Sequence, residues 1–221
     1  MTMWIAACPG QGSQSAGFLG PWLTEVQGFR SELEKLSSAS GLDLVSLGTT
    51  ADDAQIKDTA IAQPLIVASS IAAYRTLFRD SPVAGVLGHS VGEFAAAAIA
   101  GVISDEEAIR LVAIRARAMA RAAAEHPTSM AAILGGDPAE VMLAVGEIGL
   151  EIANHNGAGQ LVAAGDKSKI AALIASPPAK TRVIELKVAG AFHTSYMDSA
   201  RLELAEAVRK VAVTDPIMKL W

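Results

Sequence analysis

Apolar residues in the first half of the chain come in short runs separated by helical periodicities. Residues 3–8 are apolar and stop at Pro9-Gly10, the pattern of a buried strand entering a loop. Residues 10–20 are rich in glycine, glutamine and serine. Phe29, Leu33 and Leu36 fall at helical spacing and predict a helix over 18–38, followed by a loop and short helix over 43–58. A further helix is predicted over 62–78, with Leu65, Ser69, Ala72 and Leu77 near one face and Pro64 in its first turn. A second apolar strand over 83–87 ends in Gly88-His89-Ser90-Val91-Gly92 and runs into a small-residue helix over 93–100. Ser104-Asp105-Glu106-Glu107 has the form of a capping box that opens a long helix reaching about residue 125.

The rhythm then changes. Strand patterns at 129–134, 150–156, 160–164 and 181–188 alternate with helical patterns at 138–148 and 167–175, and Gly157-Ala158-Gly159 separates the middle two strands. That order is βαββαβ, the ferredoxin-like unit. A last helix is predicted over 196–211. The expected architecture is α/β: a larger domain from residues 1–125 and 189–221 with a ferredoxin-like insert over 126–188. No internal repeat or low-complexity tract is evident.

Composition narrows the function. A net charge of −5 and only 5% aromatic residues argue against a nucleic-acid protein, which would show a basic face and stacking platforms. The single cysteine, Cys8, allows no intrachain disulfide and fits a reducing compartment. Residues 1–9 lack a basic n-region and reach Pro-Gly-Gln-Gly too early for a signal peptide. Charges interrupt the apolar stretches within about a dozen residues, short of the roughly 20 that a membrane span needs. A cytoplasmic protein that engages neither membrane nor nucleic acid is expected.

Gly88-His89-Ser90-Val91-Gly92 fits G-x-S-x-G between a strand and a helix. The serine of such a turn is strained and held above the sheet edge, and the flanking glycines let strand and helix pass closely. The free N–H groups of the helix start favour an oxyanion there. Ser90 is therefore either a nucleophile or an N-capping serine in a glycine-rich connection. A nucleophilic serine needs a base. Among His89, His126, His155 and His193, the last lies where the chain leaves the small unit, a place where clefts form. It is either that base or a satisfied histidine.

On the helix over 105–125, Leu111, Val112, Arg115, Ala118 and Met119 share one face, while Arg110, Arg117 and Arg121 lie on another with Glu106. Arg115 therefore points inward with the apolar stripe. A buried guanidinium without a partner costs several kcal/mol, so it must meet an acid of the protein or of a ligand. Its fork suits a bidentate carboxylate.

Four blocks, taken together, carry a family resemblance: Pro9-Gly10-Gln11-Gly12-Ser13-Gln14, Gly88-His89-Ser90-Val91-Gly92-Glu93, Arg115-Ala116-Arg117-Ala118-Met119 and Gly190-Ala191-Phe192-His193. The sequence resembles the malonyl-CoA:acyl carrier protein transacylases of bacterial fatty-acid synthesis and the related acyltransferase domains of polyketide synthases. The resemblance implies an α/β-hydrolase-like domain with a parallel sheet and a ferredoxin-like insert. It also implies Ser90 as nucleophile and His193 as its base, oriented by a carbonyl. The N–H groups of Gln11 and Val91 would form the oxyanion hole, and Arg115 would clamp the malonyl carboxylate. Gln63 and Asn156 match positions near the family's site. Phe192 sits in a motif that accompanies malonyl rather than methylmalonyl in polyketide acyltransferases, where its ring would crowd an α-methyl group.

Malonyl-CoA and acyl carrier protein are the implied partners, with no metal or redox cofactor and a monomeric state. Family members continue well past the position of Trp221. The resemblance thus implies that the larger domain is cut short, without a glutamine whose carbonyl helps orient the histidine.

Three alternatives remain. A serine hydrolase would share the serine turn and recruit Asp137 or Asp166 as its acid. A non-catalytic module would bind malonyl-CoA without forming an adduct. A fragment of a multifunctional synthase is the third, although Met1 followed at once by a strand is expected of a free-standing protein.

Overall fold

The first apolar run does form a strand, β1 (Trp4–Cys8), and it pairs in parallel with β2 (Val83–Gly88). The computed structural model describes residues 3–78 and 80–221. A short third strand at the C-terminal end, β7 (Lys219–Leu220), pairs in parallel with β2, so the sheet order is β1-β2-β7. The chain divides into two compact units, one of Met1–Arg117 with Glu203–Trp221 and one of Ala118–Leu202. It is a mixed α/β protein with one parallel and one separate antiparallel sheet.

In the first unit the predicted helix over 18–38 is interrupted. It becomes α1 (Gly20–Glu25) and α2 (Phe29–Ser40), separated at Gly28, whose φ of 84° lies in the left-handed region. Phe29, Leu33 and Leu36 form the buried face of α2, as their spacing requires. Residues 43–58 hold two short helices, α3 (Leu44–Thr49) and α4 (Asp53–Lys57), each capped by an aspartate.

The next helix, α5 (Thr59–Ala73), starts three residues before its predicted start, and a π-helical turn (Tyr74–Phe78) prolongs it. The Asp58 carboxylate accepts from the Ala60 N–H and sets this earlier start. Pro64 therefore lies inside the helix rather than in its first turn. The helical stretch Thr59–Phe78 is also long and apolar enough to cross a membrane, contrary to the expectation that no stretch approaches that length. Its apolarity serves the core instead: Leu65, Ile66, Val67, Ala68, Ile71 and Ala72 are all buried in the first unit.

Helix α6 (Gly92–Ile99) follows β2 directly. A Cβ on Gly92 would sit 2.2 Å from the Cys8 carbonyl oxygen, and one on Gly88 would sit 2.4 Å from the Glu93 nitrogen. Both contacts are far inside van der Waals distance, so only glycine permits this approach of strand, turn and helix. Helix α7 (Asp105–Glu125) opens at Ser104, whose hydroxyl accepts from the Glu107 N–H, while the Glu107 carboxylate pairs with Arg110. Arg75 ties the start of α7 to the end of α6. Its guanidinium donates to both carboxylate oxygens of Asp105 at 2.8 and 2.9 Å, and to the Ala98 carbonyl at 3.0 Å.

The second unit has the predicted element order: β3 (Thr128–Gly135), α8 (Pro138–Glu147), β4 (Glu151–His155), β5 (Gln160–Asp166), α9 (Lys167–Ala175) and β6 (Thr181–Leu186). Its antiparallel sheet has the order β4-β5-β3-β6. Strand alternation divides its side chains between two cores. Ala131, Ile133, Leu161 and Ala163 pack with Val141 and Val145 of α8 and Ile170 and Leu173 of α9. Met130, Val162 and Ala164 face the other way, toward Met119, Ala122, Phe192 and Met197. A 3-10 turn (Ser195–Met197) precedes α10 (Asp198–Val208), which starts two residues after the predicted helix start and ends three before its predicted end.

Two outcomes follow for stability. Gly92→Ala should lose at least about 2 kcal/mol in urea unfolding, because the backbone oxygen it meets cannot move aside. Arg75→Ala should lose about 1–2 kcal/mol in the same measurement, because it leaves the half-buried Asp105 carboxylate without its bidentate partner.

Candidate active site

The parallel register sets Cys8 beside Gly88, so β1 and β2 end together and their loops leave the sheet side by side. Ligand sites of open parallel sheets lie at this carboxyl end. The His89 N–H donates to the Cys8 carbonyl at 3.0 Å and closes the two loops together. Ser90 follows in the left-handed region, with φ of 53°. This conformation is strained for serine and persists only where the surroundings over-determine it. The cap position of α6 is Val91, not Ser90. The N–H of Gly92 goes to the His89 carbonyl, and that of Glu93 goes to the Ser90 carbonyl. Among the described residues, neither the Val91 N–H nor the Gln11 N–H is engaged by a protein acceptor.

The loop that carries Gln11 is braced from within. The Gln14 side chain accepts from the Gly12 N–H at 2.9 Å and donates to the Ile56 carbonyl at 3.0 Å. The Ser13 hydroxyl donates to the Gly10 carbonyl.

Arg115 lies on the inward face of α7 as predicted, with Leu111 and Val112 of that stripe buried. Its Nη1 donates to the Gln63 Oε1 at 2.5 Å. Gln63 Nε2 donates to Gln11 Oε1 at 3.4 Å, and Gln11 Nε2 donates to Thr59 Oγ1 at 3.3 Å. One chain of side-chain hydrogen bonds therefore joins α7, α5 and the glycine-rich loop. Thr59 and Gln63 are each only 1% exposed. Among the described residues Arg115 forms no ion pair. Burial pulls its pKa below the usual arginine range, and the nearby Glu93 carboxylate opposes that shift.

The structure thus brings together Gln11, Gln63 and Arg115, and sets Ser90 and Val91 at the strand end beside the Gln11 loop. Sequence reading passed over Thr59 and the Gln14 brace. Asp58-Thr59, an N-cap followed by the first residue of a helix, carried the signal for Thr59, but the helix was expected to begin at residue 62. Cys8 is buried at the end of β1, and burial pushes its thiol up to about 12. An apolar cavity of about 490 Å³ in the first unit is lined by Cys8, Pro9, Ser13 and Trp22 but by neither Ser90 nor Arg115.

His193, Phe192 and Asn156 belong to the second unit. His193 is exposed and has φ of 60°, also left-handed. Its segment is held on both sides. The Ala191 N–H donates to the Thr128 Oγ1 at 2.9 Å, and Ser195 donates through N and Oγ to the Glu151 carboxylate at 3.0 and 2.5 Å. Phe192 is 7% exposed and packs in the core with Met119 and Met130. Asn156 is exposed in the turn between β4 and β5, where its N–H donates to the Gln160 carbonyl. His126 packs edge-on against Tyr196. The acids of the hydrolase alternative have other work: Asp137 caps α8 and Asp166 pairs with Lys169. Among the described residues no three His, Cys, Asp or Glu side chains form a cluster that would hold a metal ion.

Residues 4–221 match the family described as acyl transferase domain. The malonyl CoA-acyl carrier protein transacylase of Mycobacterium tuberculosis is 49% identical over 216 residues, which cover 96% of this chain and 71% of that protein. The crystal structure of MCAT from Mycobacterium tuberculosis superposes with a TM-score of 0.93 at 47% identity, covering 99% of this chain and 74% of that one. A malonyl-transacylase solved in complex with its type II polyketide synthase acyl-carrier protein superposes with a TM-score of 0.89 at 28% identity, again covering 99% of this chain and 74% of that one. The chain belongs to the acyl transferase domain family.

Proposed function

We propose that this chain transfers a malonyl group from malonyl-CoA to the phosphopantetheine thiol of an acyl carrier protein, in fatty-acid synthesis, through a malonyl ester on Ser90. The observation that carries this reading is the inward-facing Arg115, which is hydrogen-bonded to a neutral amide and to no carboxylate of the described residues. A guanidinium held that way has its charge available to a carboxylate that arrives with the substrate. The named activity of the 49%-identical relative supports the same chemistry.

In this reading His193 accepts the Ser90 hydroxyl proton as the oxygen attacks the thioester carbon. The Gln11 and Val91 N–H groups receive the oxyanion, each lowering the barrier by about 3 kcal/mol. Collapse breaks the carbon–sulfur bond, and His193 returns the proton to the departing CoA thiolate. The carrier thiol then attacks the ester with His193 as base again, so the kinetics are ping-pong. Support for the pairing comes from the left-handed backbone shared by Ser90 and His193, a strain that recurs at reacting groups.

Arg115 accepts the malonyl carboxylate, and Gln63 and Asn156 border it. Phe192 limits the space at the α-carbon. We also propose that the parallel-sheet unit is α/β-hydrolase-like and that residues 126–188 form a ferredoxin-like insert, a division supported by the βαββαβ order. The chain works as a cytoplasmic monomer and engages neither nucleic acid nor membrane.

Ser90→Ala should abolish covalent labelling by radioactive malonyl-CoA, and a labelled alanine variant would refute the nucleophile. Arg115→Ala should lower malonyl transfer by at least about 100-fold while acetyl transfer falls far less. Equal losses for the two acyl groups would remove the clamp from the account.

A further inference from the structure

An arginine drawn partly out of water is normally neutralised by a carboxylate, and beside the half-buried Arg115 it is Gln63 that occupies the place where one would stand. Its side chain is 1% exposed and its Oε1 lies 2.5 Å from Arg115 Nη1. The hydrogen-bond sense along the chain is forced. A guanidinium only donates, so Gln63 must present its oxygen, and its amide nitrogen is left to donate to Gln11 Oε1. Gln11 in turn donates to Thr59 Oγ1. A glutamate at position 63 has the same shape and would reach the same nitrogen, but it would bring a full negative charge.

We infer that Gln63 is the specificity-determining residue for the charge of the acyl group: by accepting from Arg115 it orients the guanidinium while leaving its charge uncancelled. The inference rests on the malonyl reading given under Proposed function and goes beyond it. It assigns the choice between dicarboxylic and simple acyl groups to the neutrality of position 63, not to Arg115 alone. A carboxylate here would satisfy Arg115 internally and would repel the free carboxylate of malonate, whereas an acetyl group carries no charge for it to oppose.

The test compares the unaltered chain with Gln63→Glu and Gln63→Ala. Malonyl-CoA and acetyl-CoA are supplied together, and acyl adducts are read by intact-protein mass spectrometry. Gln63→Glu should lower the malonyl-to-acetyl ratio by about 100-fold, whatever it does to the absolute rate of loading. Gln63→Ala should load both groups more slowly yet keep the malonyl preference, because the charge of Arg115 is still uncancelled. A purely structural role for Gln63 would lower both loadings alike and leave the ratio unmoved in both variants. Retention of the original ratio by Gln63→Glu, or its loss in Gln63→Ala, overturns the inference. If Gln63→Glu does not fold, as judged by circular dichroism, Gln63→Asp, which brings the same charge on a shorter side chain, takes its place: a fall in the malonyl-to-acetyl ratio is expected, and an unmoved ratio overturns the inference. If the unaltered chain carries no malonyl adduct, the proposed function fails, and calorimetric binding of the two thioesters to the same three proteins decides the inference on the same ratio.

Discussion

The guanidinium of Arg115 is the constraint around which the first unit is organised. Drawing that cation partly out of water costs free energy, and no carboxylate of the described residues pairs with it. What holds it is a chain of neutral groups that runs from Gln63 through Gln11 to Thr59. The chain has a direction, because arginine can only donate, so every amide along it is oriented by the first. Three elements distant in sequence are joined: α7, the first turns of α5 and the loop after β1. The same residue, whose charge is proposed to meet a ligand, is linked through Gln63 to the side chain of Gln11, whose N–H is proposed to stabilise an oxyanion.

The backbone imposes a second constraint that makes the first one usable. Cys8 and Gly88 stand side by side in register, and Gly88 and Gly92 let α6 start almost against the strand ends. Without that approach the Ser90 turn and the Gln11 loop could not leave the sheet at the same point. Ser90 accepts a left-handed backbone as a consequence. Strain at this residue is compensated by the packed helix behind it, with Ala95, Ala96 and Ile99 fully buried.

Much of this could be read in the residues. Strand, turn and small-residue helix around Ser90 were legible because glycine spacing and apolar runs are local signals. The inward aim of Arg115 was legible because helical periodicity assigns a face without any knowledge of the fold. Gln63 came into view only through the resemblance, which put it near the site, since helical periodicity says nothing of a glutamine 52 residues away. The start of α5 was misplaced because Pro64 looks like a first-turn proline, while the true cap, Asp58, sits in a polar stretch that reads as loop. The break at Gly28 was hidden because apolar spacing persists across it, and β7 is too short for alternation to register. The βαββαβ order emerged because its strands are short runs bounded by proline, glycine or polar turns, such as β3 between Pro127 and Gly136 and β5 between Gly159 and Asp166.

The central claim is that Arg115 keeps its charge for a carboxylate carried by the substrate. Crystals soaked briefly with malonyl-CoA test it most directly. The expected electron density shows an ester on the Ser90 oxygen with its free carboxylate hydrogen-bonded to the Arg115 guanidinium. An ester whose carboxylate points into solvent, or an acyl group carried on any other residue, would contradict it.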